Sequence, residues 1–258
     1  MIVSNRYGFI FVKNARVAVT SLEMALSKFL GDEDIITPVA GDMNPYRETE
    51  RLRRGFAVAR NFEKSPYRLR ATEVPRFVKG QMRSRFYRDE GARLYARSKL
   101  PKKYWGHMSA EEIRSRVGTS RWDSYYKFTV ERNPWDRLVA AYSRKKKQGK
   151  MAESFREFVM SSGPARTQFD RYTVNGKVGM DRILRYDRLY EGLSEISNLL
   201  SFPENVGDVM ASMSANAGHR SSRRYQDCYH ADTKEVVDLY FAREIRLMGF
   251  AFEEGGDG

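Results

Sequence analysis

Phe128-Thr129-Val130-Glu131-Arg132-Asn133-Pro134-Trp135-Asp136-Arg137-Leu138-Val139-Ala140-Ala141-Tyr142 is the stretch whose reading decides the fold. Tyr126 to Val130 is a short β-prone run, and Asn133-Pro134 is the chemistry a helix start needs. Asn is a natural N-cap, because its side-chain oxygen accepts from free backbone N–H groups, and Pro at the first helical position has no N–H to leave unpaired. Leu138, Val139 and Tyr142 then mark one face of a helix. The stretch reads as strand, tight turn, helix, with Arg132 at the strand end.

Working outward, the same pattern recurs. Residues 8–13 hold a short apolar run, Phe9-Ile10-Phe11-Val12, the signature of a strand buried on both faces of a parallel sheet. Thr20 and Glu23 have capping-box spacing, and Leu22, Ala25, Leu26 and Phe29 follow at helical intervals up to Gly31. Residues 109–117 read as a capped helix ended by Gly118, 181–186 as a third strand and 189–200 as an amphipathic helix. A closing helix is expected from Asp232 to Met248, opened by Asp232 and Glu235 and ended by Gly249. Such alternation predicts an α/β fold: an open, mostly parallel central sheet with helices on both faces.

The chain has 258 residues, 41% of them hydrophobic, which suits a single α/β domain. Its formal charge is +13, and the segment from Arg47 to Lys103, with 18 lysines and arginines against six acids, carries +12 of it. Pro45, Pro66, Pro75 and Pro101 break this basic region, about 40–103, into short helices and irregular links, and it reads as an insertion. A charge block of this kind implies either a polyanionic partner (an acidic acceptor, nucleic acid or a membrane surface) or a solvated, arginine-rich helical surface. The single cysteine, Cys228, forms no intrachain disulfide, no apolar run approaches the roughly 18 residues that span a bilayer, and no cleavage signal opens the sequence. A cytoplasmic protein with no membrane partner is expected. His219 and His230 have no ligand spacing with each other or with Cys228, so no metal is expected.

Open parallel sheets bind ligands beyond the carboxyl ends of their strands, and both leading strand–helix units place cations there. Lys13 to Ser21 runs into a helix N-terminus, where free N–H groups and the dipole favour an anion, with Arg16, Thr20 and Ser21 as further donors. Arg132 supplies the second cation. Two anion sites on one sheet suit a ligand with two separated phosphates. The glycine-rich Walker loop of nucleoside triphosphatases is missing, which argues against a kinase.

At these residues the chain resembles a known family. Phe9 to Glu23 is similar to the 5′-phosphosulfate loop of carbohydrate-type sulfotransferases, of the soluble bacterial kind, and Phe128 to Tyr142 resembles their 3′-phosphate motif. Asp181 to Leu189 and Val237 to Phe252 resemble the family's later strand and closing helix. The resemblance implies a P-loop-like three-layer α/β/α fold and transfer of a sulfuryl group from 3′-phosphoadenosine 5′-phosphosulfate (PAPS) to an acceptor hydroxyl. The acceptor would be a saccharide or an otherwise anionic molecule, and it ranks ahead of nucleic acid as a partner. No metal is implied. By matching positions, Arg16, Ala18, Val19, Thr20 and Ser21 would hold the 5′-phosphosulfate, Arg132 the 3′-phosphate, and Arg220 with Tyr225 the adenosine phosphate. Arg16 would also act in catalysis, and His107 would be the base. A carboxylate, Asp42, Glu48 or Glu50, is the alternative base.

Three positions depart from the family pattern. Arg16 stands where the family has lysine, Val19 where it has glycine, and Ala140 where a serine supports the 3′-phosphate. Losing one hydrogen bond to a charged group costs about 1.5–3 kcal/mol. The alternative these departures raise is a degenerate domain of the same fold that binds a polyanion without turning it over.

Overall fold

The computed structural model describes residues 1–14, 19–38, 45–86, 90, 93, 100–149, 153–162, 167–214 and 224–252. The strands are β1 (Ile2–Ser4), β2 (Phe9–Phe11), β3 (Ile35–Ile36), β4 (Tyr126–Glu131), β5 (Thr173–Val174), β6 (Lys177–Val178) and β7 (Arg182–Arg185). In the first half of the chain the helices are α1 (Val19–Ser27), α2 (Pro45–Arg53), α3 (Val74–Phe86), α4 (Ala110–Val117) and α5 (Thr119–Ser124). The second half contributes α6 (Pro134–Lys147), α7 (Phe155–Ser162), α8 (Leu189–Leu199), α9 (Val206–Ser214), α10 (Ala231–Tyr240) and α11 (Ala242–Met248).

The central sheet has the order β3-β1-β2-β4-β7. Strand β1 is antiparallel to both its neighbours, and β2, β4 and β7 are parallel, so the sheet is mostly parallel and the α/β expectation holds. Alternation along the strands sorts the core. Phe9, Phe11, Phe128, Val130 and Leu184 face a cluster with Leu22, Leu26, Leu193, Ile196 and Val206 from α1, α8 and α9. Val3, Ile10 and Val12 face the other side, against Phe62, Met108, Ile113 and Trp122. A third cluster joins α6, α7 and α10 through Trp135, Leu138, Phe158, Val237 and Phe241.

The local capping chemistry is as read from the sequence. Asn133 Oδ1 accepts from the N–H groups of Trp135 and Asp136, at 3.0 and 3.4 Å, and Pro134 opens α6. Ser109 and Glu112 form a reciprocal capping box, and Gly118 ends α4 at a φ of 88°, a conformation that suits glycine. Pro45, Pro66 and Pro75 each fall in the first turn of a helical segment, where proline is tolerated.

Two expectations are corrected. The closing helix is broken: Phe241, fully buried and at a φ of −107°, separates α10 from α11. Glu23 is no capping residue, because α1 starts at Val19 and the Glu23 carboxylate is buried against Lys13.

Candidate functional site

Strands β2 and β4 are parallel neighbours, with Phe11 opposite Phe128, so the chain leaves both at the same edge of the sheet. The pairing continues beyond β2. Val12 N donates to Phe128 O at 3.0 Å, Thr129 Oγ1 to Val12 O at 2.7 Å, and Asn14 Nδ2 to Val130 O at 3.0 Å. Residues 12–14 are thus held on β4 up to the point where the connection to α1 begins. Thr20 and Ser21 sit half-buried in the first turn of α1. Arg16 and Ala18 lie outside the described residues, as does the side chain of Val19.

Lys13 is not a surface cation. It is 1% exposed and paired with the fully buried Glu23, which also accepts from the Met1 amine. Burial would raise the Glu23 pKa, but the charges of Lys13, the Met1 amine and Arg51 outweigh it and hold the group at about 2. The pair anchors the end of β2 to α1 and fixes where the connecting loop must start.

His107 comes to this strand end from a distant part of the chain. Its Nδ1 lies 3.4 Å from the carbonyl oxygen of Lys13, and Arg171 Nη1 donates to the His107 carbonyl at 2.7 Å. With Nδ1–H donating to Lys13 O, the Nε2 lone pair is left as an acceptor. Burial, aided by the charges of Lys13 and Arg171, lowers the imidazole pKa to about 4. His107 is therefore neutral at pH 7 and a weak base.

Arg132, at the end of β4, is tied down. Its Nε and Nη2 form a bidentate pair with Asp136 at 2.6 and 2.7 Å, and its guanidinium lies over the Tyr186 ring, 4.6 Å from the centroid. Tyr225 is brought to the same corner, where its hydroxyl accepts from Asn133 Nδ2 at 3.3 Å. Arg220 lies outside the described residues. Ala140 is half-buried on α6, two turns from Asn133.

The alternative carboxylates are structural where they are described. Glu48 is buried, pairs with Arg51 at 3.0 Å and accepts from Ala59 N. Glu50 is gripped by Arg53 and Arg54, whose hydrogen bonds hold its carboxyl down at about 2. Asp42 lies outside the described residues. His219 does too, and among the described residues no group of three or more His, Cys, Asp or Glu is placed to hold a metal ion.

Sequence reasoning missed the polar cluster behind Arg132. Glu131 is fully buried, accepts from Arg137 Nη1 at 2.5 Å and from Arg132 N at 3.0 Å, and burial raises its pKa despite Arg137. Glu244 of α11, also buried, accepts from the N–H groups of Gln168 and Phe169 at 3.1 and 3.4 Å. The turn Phe169–Arg171 therefore links α11 to His107 through Arg171. The available signal was the alternation of Lys127, Thr129 and Glu131 with Phe128 and Val130, which gives β4 one polar buried face.

No protein-family model matches the chain, and no solved structure matches it. An uncharacterized protein of Archaeoglobus fulgidus is 36% identical over 118 residues, covering 44% of this chain and 98% of that protein. By that coverage, this chain belongs to the same family as the uncharacterized Archaeoglobus fulgidus protein.

Proposed function

We propose that the protein is a PAPS-dependent sulfotransferase of P-loop-like architecture, moving a sulfuryl group to a hydroxyl of a saccharide or other anionic acceptor. The observation that carries this reading is the side-by-side exit of β2 and β4, which puts the N-termini of α1 and α6 at one sheet edge. Both termini favour anions, and a nucleotide with phosphates at two ends fits such a pair. Arg16, Ala18, Val19, Thr20 and Ser21 would cradle the 5′-phosphosulfate, with Arg132, Arg220 and Tyr225 around the 3′-phosphate. Nothing in the transfer chemistry calls for a membrane, and the single Cys228 fits a reducing cytoplasm.

In this reading the acceptor oxygen attacks sulfur in line as the bond to the 5′-phosphate oxygen breaks, and 3′,5′-adenosine bisphosphate leaves. Cations at the loop offset charge developing on the leaving oxygen, and alignment supplies much of the remaining rate. Arg16 suits the first task, since guanidinium binds phosphate bidentately and keeps its charge. His107, with Nε2 open, takes the acceptor proton. Its low basicity requires that the proton move late, as the S–O bond forms and the acceptor hydroxyl acidifies.

A second reading rests on Arg132. Its bidentate bond to Asp136 spends the charge that a 3′-phosphate would use, and Ala140 offers no hydroxyl to replace it. The same fold would then bind a polyanion without catalysis. Incubation with sulfur-labelled PAPS and panels of polysaccharide, peptide and phenol acceptors separates the two. Labelled product supports the enzyme; no product, even after Val19→Gly and Ala140→Ser, with salt-sensitive polyanion binding, supports the binding module.

A further inference from the structure

The basic block is not uniformly available for binding. Arg51 pairs with Glu48, Arg53 and Arg54 with Glu50, Arg60 with Asp32, and Lys64 with Glu73. Past Glu73 the balance changes, because α3 holds Arg76, Lys79, Arg83 and Arg85 and no acidic residue.

Among the described residues, helix α3 meets Leu100 at Gly80. Gly80 is buried, and a Cβ there would meet Leu100 Cδ2 at 2.0 Å, so the helix backbone lies directly on that side chain. Phe77 is half-buried beside it. At 3.6 residues per turn, Val78 and Met82 project from the side opposite Gly80. They are 48% and 55% exposed, and Val74 is 43% exposed on the same stripe. On the same wheel Arg85 falls on the stripe, between the directions of Val74 and Val78, Lys79 borders it beyond Met82, and Arg83 lies nearer the Gly80 side.

Single exposed apolar residues are ordinary, but three at i, i+4 and i+8 on a helix whose charges are all positive are not. Three occupants can be compared. A polysaccharide or nucleic acid would use the cations and gain little from Val78 and Met82. A second copy of the chain would cover the apolar stripe but bring two sets of α3 cations together. An anionic bilayer takes both, since its headgroups meet the cations and its acyl boundary takes the apolar side chains. We infer that α3 is a peripheral membrane-docking helix, which seats the protein on an anionic phospholipid surface through Val74, Val78 and Met82 together with Lys79 and Arg85. No helix among the described residues is long and apolar enough to cross a membrane, so the contact is interfacial. The inference is independent of the sulfotransferase reading.

The test is sedimentation of the full chain with vesicles of phosphatidylglycerol and phosphatidylcholine, against vesicles of phosphatidylcholine alone. Binding to the anionic vesicles only is expected, weakened by salt. Lys79→Gln/Arg85→Gln is expected to lower affinity about 25-fold, at roughly fivefold per surface cation. Val78→Ser/Met82→Ser, which leaves the charge unchanged, is expected to lower it roughly tenfold while heparin retention stays as in the wild type. These side chains are exposed, so an unchanged melting temperature checks the fold of each variant. Wild-type vesicle binding by Val78→Ser/Met82→Ser overturns the proposal. So does heparin binding without vesicle binding, which assigns the face to a soluble polyanion. A dimer in light scattering that this serine variant dissolves assigns the stripe to a second copy and overturns it as well.

Discussion

His107 Nδ1 stands 3.4 Å from the carbonyl oxygen of Lys13, so the histidine is tied to the backbone at the end of β2 and not to a carboxylate. With only three histidines in the chain, its titration can be followed by NMR. The expected pKa is about 4, because burial and the charges of Lys13 and Arg171 all oppose protonation. Arg171→Met removes one of those charges and should raise it toward 6.5. A His107 that titrates at or above 6.5 in the wild type contradicts the geometry.

The same shift has a consequence for stability. A histidine whose folded pKa lies below its unfolded value contributes stability that is complete above about 6.5 and is lost as pH falls toward 4. Glu23, held at about 2, adds a contribution that is complete above about 4.5 and is lost as pH falls through 2. Denaturant midpoints should fall from pH 7 to pH 3; the buried Met1 amine, lowered to about 5, shares the upper part of the fall, and His107→Gln should remove only the part between about 6.5 and 4.

The Lys13–Glu23 pair is fully buried, so breaking it from one side leaves a charge with a missing partner. Lys13→Met should destabilise the fold by about 3–5 kcal/mol, read from denaturant unfolding. A loss under about 1 kcal/mol would place the pair in water.

Arg137 and Glu131 offer a parallel case behind the β4 end, at 2.5 Å. Arg137→Met should cost about 3–5 kcal/mol, and Arg137→Met/Glu131→Gln should recover part of it, because the second change removes the stranded charge. Additive losses in this double-mutant cycle would show that the two do not interact.

How much of this was legible follows from the range of each interaction. Asn133-Pro134, Ser109 with Glu112, and Gly118 act within four residues of themselves, so their helix boundaries could be read directly. Strands β1 and β3 could not be read, since each is two or three residues long and exists by pairing, Ile2 with Phe11 and Ile36. The spacing of Thr20 and Glu23 fits a capping box and equally fits a helix interior turned toward Lys13; only the position of β2 decides between them. The break at Phe241 has no glycine or proline to announce it, because packing of a buried ring overrides a good helical pattern. At the site, the structure puts the Tyr225 hydroxyl on Asn133, next in the chain to Arg132, whereas the claim of Asp136 on Arg132 was readable only as an i, i+4 spacing.

The central claim is that the two helix N-termini at the ends of β2 and β4 grip one nucleotide, and thermal unfolding with 3′,5′-adenosine bisphosphate tests it most directly. Ligand at a hundred times its dissociation constant stabilises by about 2.7 kcal/mol, roughly 5–10 °C for a chain of this size. That rise is expected for the wild type and should vanish in Arg132→Ala. No rise at millimolar nucleotide, or a rise that Arg132→Ala leaves intact, would contradict the account.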